Sequence, residues 1–440
     1  MSKQIFFFGN PLLDHSYRLP LSVLETIEKN PNVKIGGASI VSGKEFQSII
    51  SMLPKDITSR CIPGGSSLNT ARILASLLSQ SKEEPVAKVI YSGAIGADTN
   101  GKAIDKLIQE HGVSPRLITI REHPTTKEPT HTGCCGVFVN ENDHERALVA
   151  MLGASAHYAG IHIDSIVSEL SSSSVLFMPG FFFTDAWDAA LRAMEIATKN
   201  KIPIVLNLAS PFVVRCFTSR VIKALTYAQL VIGNDAEILA LRECLADHKV
   251  VPPLSADTTF DQKCRLAVTG IVSLPFSSKV HSHMQSRSVI MTCGADSIRY
   301  CLSSPSISPS DVSSVGKDVD CPCSEDLTSE EDGDSATLTL GVCRGCKMEC
   351  SECCEKCWKE GEGVLAKSAI FGAIPAEKVA SSDLVDTNGA GDAFCSGVLR
   401  VLLENDISIP DIPEEIFIKA LEEARHVAAI VVQHEGAVLE

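Results

Sequence analysis

The chain has 440 residues, of which 45% are hydrophobic and 21% charged, enough for one large α/β domain with additions or for two domains. Its formal net charge of -15 argues against nucleic acid as a partner, because neutralising phosphates requires clustered Lys and Arg. Aromatic residues make up 5% of the chain, which also disfavours stacking platforms for single strands.

The short apolar run Ile5–Phe8 opens the chain and breaks at Gly9. It suits a buried first strand better than the core of a secretory signal, and no apolar stretch reaches membrane-spanning length. We therefore expect a cytoplasmic protein without a membrane partner, with a nuclear location also open. In that compartment the 17 cysteines serve as thiols or metal ligands rather than disulfides.

Short β-branched and aromatic runs alternate with segments of helical periodicity along most of the chain. The predicted strands are Ile5–Phe8, Lys88–Ser92, Val175–Met178, Pro203–Asn207, Leu230–Ile232 and Val289–Thr292. The helical segments between them include Ser67–Leu78, Ala186–Thr198 and Asp235–Leu245. This alternation predicts an α/β fold over residues 1–440, a doubly wound and mostly parallel sheet flanked by helices. Ligands bind such sheets beyond the carboxyl ends of the strands.

Two regions depart from the alternation. The first consists of residues 15–62 and 124–152. Its segment Pro20–Cys61 shows no helical spacing, and we predict that the region forms a small β lid over the main domain. The second covers residues 303–367, which turn Ser- and Pro-rich, then acidic, then Cys-rich. Few apolar residues recur there, so we predict a partly disordered insertion.

The segment Asp386–Asp392 carries the strongest chemical signal of the chain. It reads Asp-Thr-Asn-Gly-Ala-Gly-Asp and precedes an apolar periodic run, a pattern typical of a tight turn that enters a helix. Free N–H groups at a helix start attract anions, whereas the carboxylate of Asp392 would repel a phosphate held there. A base that deprotonates a hydroxyl beside a phosphoryl group reconciles the two features. A glycine-rich helix start capped by an aspartate is the structural alternative.

This segment resembles the D-T-x-G-A-G-D signature of the ribokinase superfamily of carbohydrate and nucleoside kinases. Further segments resemble those of the adenosine kinases within it, in the same order along nearly the whole chain outside the insertion. These segments are Gly9–Asp14, Gly64–Asn69, Gly180–Thr184, Asn207–Phe212 and Gly233–Glu237.

The resemblance implies a ribokinase-like fold and ATP-dependent phosphorylation of the adenosine 5′-hydroxyl to AMP, a purine-salvage reaction. It implies that Asp392 is the general base and that Gly389, Ala390 and Gly391 form an anion hole for the phosphoryl group. The residues implied to bind the nucleoside are Asp14, Gly64, Gly65, Ser66, Asn69, Leu148, Leu152, Phe182 and Asn388. Asp14 would bind the ribose diol, since its two oxygens can each accept one hydroxyl. Phe182 would stack on adenine.

The resemblance also implies an ATP side. The residues that it places there are Arg146, Asn234, Glu237, Thr292, Gly294 and His426. Asn234 and Glu237 would organise Mg²⁺ through water, which is compatible with the hydration that Mg²⁺ keeps. Asn234 is equally compatible with a helix N-cap followed by an acid in the first turn. His426 is as compatible with a buried structural histidine.

The segment Gly96–Ala103 nearly fits a phosphate-binding P-loop, but Ala103 replaces the required hydroxyl, and we reject that reading. Cys343, Cys346, Cys350 and Cys353 have spacings that suit a structural Zn²⁺ site, against the alternative of free thiols in an unstructured insert. We expect a monomer that binds adenosine and ATP. Two alternatives stay open: another nucleoside or sugar kinase of the superfamily, and a metal-binding interaction protein on a kinase scaffold.

Overall fold

A computed structural model describes residues 3–80, 86–142, 146–303, 335–340, 367–380, 382–434, 436, 437 and 439. Within these residues no helix is both long enough and apolar enough to cross a membrane. The strands are β1 (Lys3–Phe8), β2 (Leu12–Leu19), β3 (Ala38–Ile40), β4 (Arg60–Gly64), β5 (Ala87–Gly96), β6 (Ser114–Ile120), β7 (Thr132–Asn140), β8 (Arg146–Gly153), β9 (Val175–Pro179), β10 (Ile204–Asn207), β11 (Leu230–Asn234), β12 (Ser288–Cys293), β13 (Ser297–Ser303), β14 (Ser335–Leu340) and β15 (Lys367–Pro375).

The α-helices are α1 (Leu21–Ile27), α2 (Gly43–Ser51), α3 (Ser66–Ser79), α4 (Thr99–Glu110), α5 (Val167–Ser171), α6 (Phe182–Asp185), α7 (Trp187–Lys199), α8 (Pro211–Cys216), α9 (Thr218–Leu225), α10 (Asp235–Asp247), α11 (Phe260–Val272), α12 (Ala390–Glu404) and α13 (Glu414–Val431). Short 3₁₀ turns span Ala154–His157, Gly160–Ser165, Ser282–Met284 and Ile409–Asp411.

The main sheet has ten strands in the order β14-β15-β13-β12-β11-β10-β9-β1-β5-β6. The strands from β12 to β6 pair in parallel, whereas β13, β15 and β14 add antiparallel pairs at one end. All six strands predicted from the sequence lie in the parallel part. Ile5–Phe8 has no exposed side chain, as expected for a strand covered by helices on both faces.

Two helical layers cover the sheet. Helices α3, α4, α12 and α13 pack on one face, and α6 to α11 pack on the other, each layer closing its own apolar core. The three predicted helices are confirmed as α3, α7 and α10. The mostly parallel, doubly wound fold predicted from the sequence is therefore present.

A second sheet of five strands, in the order β3-β8-β7-β2-β4, forms the predicted lid. Two helices, α1 and α2, cover its outer face through Leu24, Ile27, Phe46 and Ile49. The interpretation of Pro20–Cys61 as a segment without helical spacing is thus wrong. The capping box of Ser42 and Glu45 starts α2, a signal at the residue level that a search for long helical periodicity overlooks.

The predicted insertion lies mostly outside the described residues. Within it, strand β14 pairs with β15 and forms the end of the main sheet. The four cysteines predicted to bind Zn²⁺ fall outside the described residues.

Candidate active site

The signature segment forms a tight turn into helix α12. Gly389 precedes the helix with φ of 80°, a left-handed conformation that glycine adopts without strain. A side chain at this position would also meet the Ala437 Cβ atom at 2.4 Å. In the described part of the chain, the N–H groups of Gly391 and Asp392 have no acceptor, whereas the N–H of Ala390, predicted to belong to the anion hole, donates to the Thr387 carbonyl oxygen at 3.4 Å. The helix therefore presents free donors and its positive dipole end to an anion.

Asp392 lies in the first turn of α12 and is held from helix α3. Ser66 Oγ donates to its Oδ1 atom at 2.6 Å, and Asn69 Nδ2 donates to Oδ2 at 3.1 Å. Burial raises the pKa of Asp392 to about 6, while the two hydrogen bonds and the charge of Arg146 oppose that rise. A carboxyl group with such a pKa is mostly ionised at neutral pH and suited to act as a base.

Ser66 and Asn69 are positioned by a second glycine turn. Gly65 caps α3 with φ of 99°, and a Cβ atom there would lie 2.3 Å from the Asn10 carbonyl oxygen. The sequence resemblance placed both residues around the nucleoside. The structure places their side chains on the catalytic-base candidate itself.

Asp386 anchors the turn from its other end. Its Oδ1 accepts from the Asn388 N–H at 2.7 Å, and its Oδ2 accepts from the Gly436 N–H at 3.0 Å. Arg146, at the start of lid strand β8, donates to Thr387 Oγ1 at 2.5 Å and lies 3.6 Å from Asp386 Oδ1. The lid thus contacts the signature turn directly, and Asn388 is held in that turn by its backbone.

Asp14 lies on lid strand β2, beside the edge strand β4. A Cβ atom on Gly64 would come 2.0 Å from its Oδ2 atom, so only glycine leaves room for this carboxylate. In the described part of the chain, no N–H or O–H group donates to the carboxylate. Burial raises its pKa to about 7, with Arg72 opposing and Asp392 and Asp386 adding to the rise. Its oxygens are available to a ligand.

Asn234 and Glu237 form the capping box of α10. Asn234 Oδ1 accepts from the Glu237 N–H at 2.9 Å, and the Asn234 N–H and Nδ2 donate to the two carboxylate oxygens at 3.0 Å. Burial raises the pKa of Glu237 to about 7, and the charge of Asp392 contributes. Both sequence interpretations of this pair, the helix cap and the acidic site, are therefore compatible with its geometry.

Asp392 and Glu237 both line one cavity of about 100 Å³. It is lined by Ser66, Asn207, Ala209, Ile232, Gly233, Asn234, Glu237, Thr292, Gly391, Asp392 and Phe394. Thr292 is brought to the site as predicted. Asn207 and Ala209 received no role from the sequence, although their position directly after a parallel strand was a usable signal. Oxygen ligands and two neighbouring carboxylates fit a hydrated Mg²⁺.

The lid contributes an apolar wall on the face that carries Asp14 and Arg146. Leu148 and Leu152 pack there with Leu12, Cys135 and Val137. The alternation along β8 puts Arg146 on the same face as the two leucines. Their predicted contact with the nucleoside base stays a prediction.

Phe182 does not have the predicted position. Its side chain is fully buried, and its ring packs against those of Phe8 and Tyr158, each at 5.6 Å between centroids. A side chain without exposed surface cannot stack on a ligand, so Phe182 belongs to the core. Its neighbour Phe181 is partly exposed and follows the same strand.

His426 and Gly294 lie outside the cavity lining. His426 is exposed on α13, where its Nδ1 lies 3.0 Å from Glu377 Oε1, and the alternative of a buried structural histidine is wrong. Gly294 is exposed in the turn between β12 and β13 with φ of 56°. Their predicted contacts with ATP stay predictions.

The rejected P-loop segment is a structural turn. Asp98 caps α4 by accepting from the Gly101 N–H at 2.8 Å, and its other oxygen accepts from the Thr132 N–H at 2.8 Å. A carboxylate occupies the place that a P-loop leaves for phosphate. Across the described residues, no group of three or more His, Cys, Asp or Glu side chains could hold a metal ion directly.

The chain is similar in sequence to curated adenosine kinases. Adenosine kinase of Dictyostelium discoideum is 27% identical over 240 residues, 54% of this chain and 65% of the relative. Adenosine kinase of Schizosaccharomyces pombe is 24% identical over 405 residues, 91% of this chain and 89% of the relative. The chain spans 65% of the length of each of the first two curated relatives, just under two thirds.

Solved structures share the fold. Adenosine kinase of Schistosoma mansoni in complex with 2-fluoroadenosine has a TM-score of 0.69 at 20% identity, covering 100% of this chain and 98% of that one. Adenosine kinase of Anopheles gambiae has a TM-score of 0.67 at 21% identity, covering 98% and 96%. The family model of the pfkB family carbohydrate kinases matches residues 50–254 and 361–439, which is more than half of the sequence. The chain therefore belongs to the pfkB family of carbohydrate kinases.

Proposed function

We propose that this protein is an adenosine kinase that transfers the γ-phosphoryl group of ATP to the adenosine 5′-hydroxyl, giving AMP and ADP. The observation that carries the proposal is the environment of Asp392. A half-buried carboxylate, held by Ser66 and Asn69, lies in the first turn of a helix where the N–H groups of Gly391 and Asp392 have no acceptor among the described residues. The adenosine kinase relatives support the choice of nucleoside.

The nucleoside would enter between the lid and the main sheet. Asp14 accepts hydrogen bonds from the ribose 2′- and 3′-hydroxyls, since its oxygens have no donor within the described residues. Leu148 and Leu152 provide an apolar wall for the base. Phe181, the partly exposed residue of the Phe181–Phe183 run, replaces Phe182 as the aromatic candidate for contact with adenine.

Proton transfer and charge stabilisation occur at the start of α12. Asp392 takes the proton of the 5′-hydroxyl as the oxygen attacks phosphorus. The N–H groups of Gly391 and Asp392, together with the helix dipole, stabilise the negative charge on the transferred phosphoryl group. Arg146 closes the lid over this turn through Thr387 and Asp386 and limits the entry of water.

Asn234 and Glu237 would hold hydrated Mg²⁺ next to the cavity, and the metal would neutralise charge on the ATP phosphates when bound. Both Glu237 carboxylate oxygens already accept one hydrogen bond each, which fits contact through water rather than direct ligation. The Zn²⁺ site predicted in the Cys-rich segment stays a prediction from the sequence. It is not required by the phosphoryl transfer.

The test is phosphorylation from labelled ATP with adenosine, inosine, ribose and fructose as acceptors. Wild type, Asp392→Asn and the control Asp383→Asn, an exposed aspartate in the segment before the turn, are compared. We expect adenosine to be preferred and kcat to fall by about 10²- to 10⁴-fold in Asp392→Asn only, the usual contribution of a general base. Preference for a sugar would refute the substrate, and near-normal activity of Asp392→Asn would refute the mechanism.

A further inference from the structure

A buried arginine lies behind the nucleoside site. Arg72, on helix α3, is 3% exposed, and its Nη1 atom donates to the Pro63 carbonyl oxygen at 2.7 Å. Its Nη2 atom lies 3.2 Å from His111 Nε2. Since His111 Nδ1 lies 2.7 Å from the Leu107 carbonyl oxygen, Nδ1 carries the ring proton and Nε2 accepts from the arginine. Its Nε atom is buried and has no hydrogen-bond partner among the described residues.

The contacts of Arg72 lead to Asp14. Pro63 is on β4 opposite Leu13, the residue that precedes Asp14 on β2. The next residue, Gly64, lies directly against the Asp14 carboxylate. Arg72 therefore holds the strand that forms the wall of the Asp14 site.

The charges around Asp14 are unbalanced. Asp392 and Asp386 raise its pKa in addition to burial, and Arg72 is the cation that lowers it. The thiol of Cys135, paired with Asp14 on the neighbouring strand β7, lies on the same face of the lid sheet, and burial raises its pKa, with the charge of Asp14 contributing. Without Arg72, this carboxyl group would face only burial and negative charge.

We propose that Arg72 is a positioning residue that fixes the strand pair presenting Asp14 and supplies the positive charge behind its sugar-binding carboxylate. This inference rests on the proposed function. Arg72 acts through its charge and its hold on Pro63 rather than through contact with the substrate, because its side chain is buried. A protonated Asp14 loses an acceptor for the ribose diol, so adenosine binding weakens while the chemistry at Asp392 stays intact.

The test compares Arg72→Gln with Arg72→Lys, which both retain a hydrogen-bond donor but differ in charge. An opposite charge nearby lowers a carboxyl pKa by about one to three units. Removing the Arg72 charge should raise the pKa of Asp14 from about 7 by about one to two units and so reduce the ionised fraction at neutral pH. KM for adenosine in Arg72→Gln should therefore rise about five- to fiftyfold at pH 7. It should return toward the wild-type value by pH 9. The value of kcat and KM for ATP should change less than about twofold, and Arg72→Lys should resemble wild type.

Arg242 offers a matched control. It is also buried, burial lowers its pKa to about 10 as for Arg72, and it donates to a proline carbonyl, that of Pro252. Arg242→Gln should lose stability without a pH-dependent change in KM for adenosine. The inference is overturned if the KM of Arg72→Gln rises equally at every pH, does not rise, or matches that of Arg242→Gln.

If Arg72→Gln does not fold, wild type still tests the part of the inference that concerns Asp14. Its KM for adenosine should rise as pH falls through about 7, and Asp14→Asn should not show this rise. A wild-type KM that is constant from pH 6 to 9 would overturn the inference. If wild type phosphorylates no nucleoside at all, the proposed function fails, a result distinct from active wild type with an unresponsive Arg72→Gln.

Discussion

The environment of Asp392 predicts how the rate depends on pH. A base must be ionised, and burial raises the pKa of this carboxyl group to about 6. The value of kcat at saturating adenosine should therefore be constant above pH 7 and fall tenfold per unit below about pH 6. The Ser66 hydroxyl donates to Asp392 at 2.6 Å and stabilises the charged form of the carboxyl group. Its loss should therefore move this fall in kcat, the acidic limb of the pH profile, to higher pH.

The size of the shift follows from the strength of that bond. A hydrogen bond to a charged group contributes about 1.5 to 3 kcal/mol, which corresponds to about one to two pKa units. In Ser66→Ala the limb should thus move to about pH 7 or 8, and kcat at pH 7 should fall about two- to tenfold, with recovery by pH 9.

The assay is kcat against pH from 5 to 9.5 for wild type, Ser66→Ala and Ser67→Ala. Ser67 is the matched control, because its Oγ atom is buried next to Ser66 and has no hydrogen-bond partner among the described residues. Its variant should keep the wild-type limb. A Ser66→Ala limb that stays at pH 6, or a loss of kcat that is equal at all pH values, would refute the assignment of Asp392 as base.

Other predictions test the lid, the pocket and the insertion. Arg146→Ala removes the contacts with the signature turn and should raise KM for ATP by at least about tenfold, measured by varying ATP at saturating adenosine. Gly64→Ala places a methyl group against Asp14 and should weaken adenosine binding by at least about tenfold in calorimetry, with ATP binding unchanged. Phe182→Ala should cost about 3 to 5 kcal/mol in denaturant unfolding, whereas Phe181→Ala should mainly raise KM for adenosine; the reverse result would restore the original assignment. Metal analysis of the purified protein under reducing conditions should find Zn²⁺ if the Cys-rich segment binds it, and its absence would end that prediction.

Local sequence patterns were sufficient for the parallel sheet and for the turn at Asp392. A strand buried on both faces must be apolar throughout, so Ile5–Phe8 and its parallel partners could be recognised without long-range information. The glycine requirement is equally local, since the backbone at Gly389 has a positive φ. The resemblance of Asp386–Asp392 then gave the family, which the family model confirms.

Residues far apart in the chain decided the remainder. The sequence shows that Phe181, Phe182 and Phe183 are aromatic, but only packing against Phe8 and Tyr158 decides that Phe182 is core. Short helices such as α1 and α2 are stabilised by the lid sheet they cover rather than by their own periodicity, and so escaped prediction.

The electrostatics of the site depend on the same long-range packing. By itself, the sequence determined which acidic residues are present and that Asp392 lies at the start of a helix. The tertiary structure brought Ser66, Asn69 and Arg146 to Asp392 and left Asp14 with Arg72 as its balancing charge. Burial and neighbouring charges set a carboxyl pKa, and both are properties of the folded chain, not of any segment.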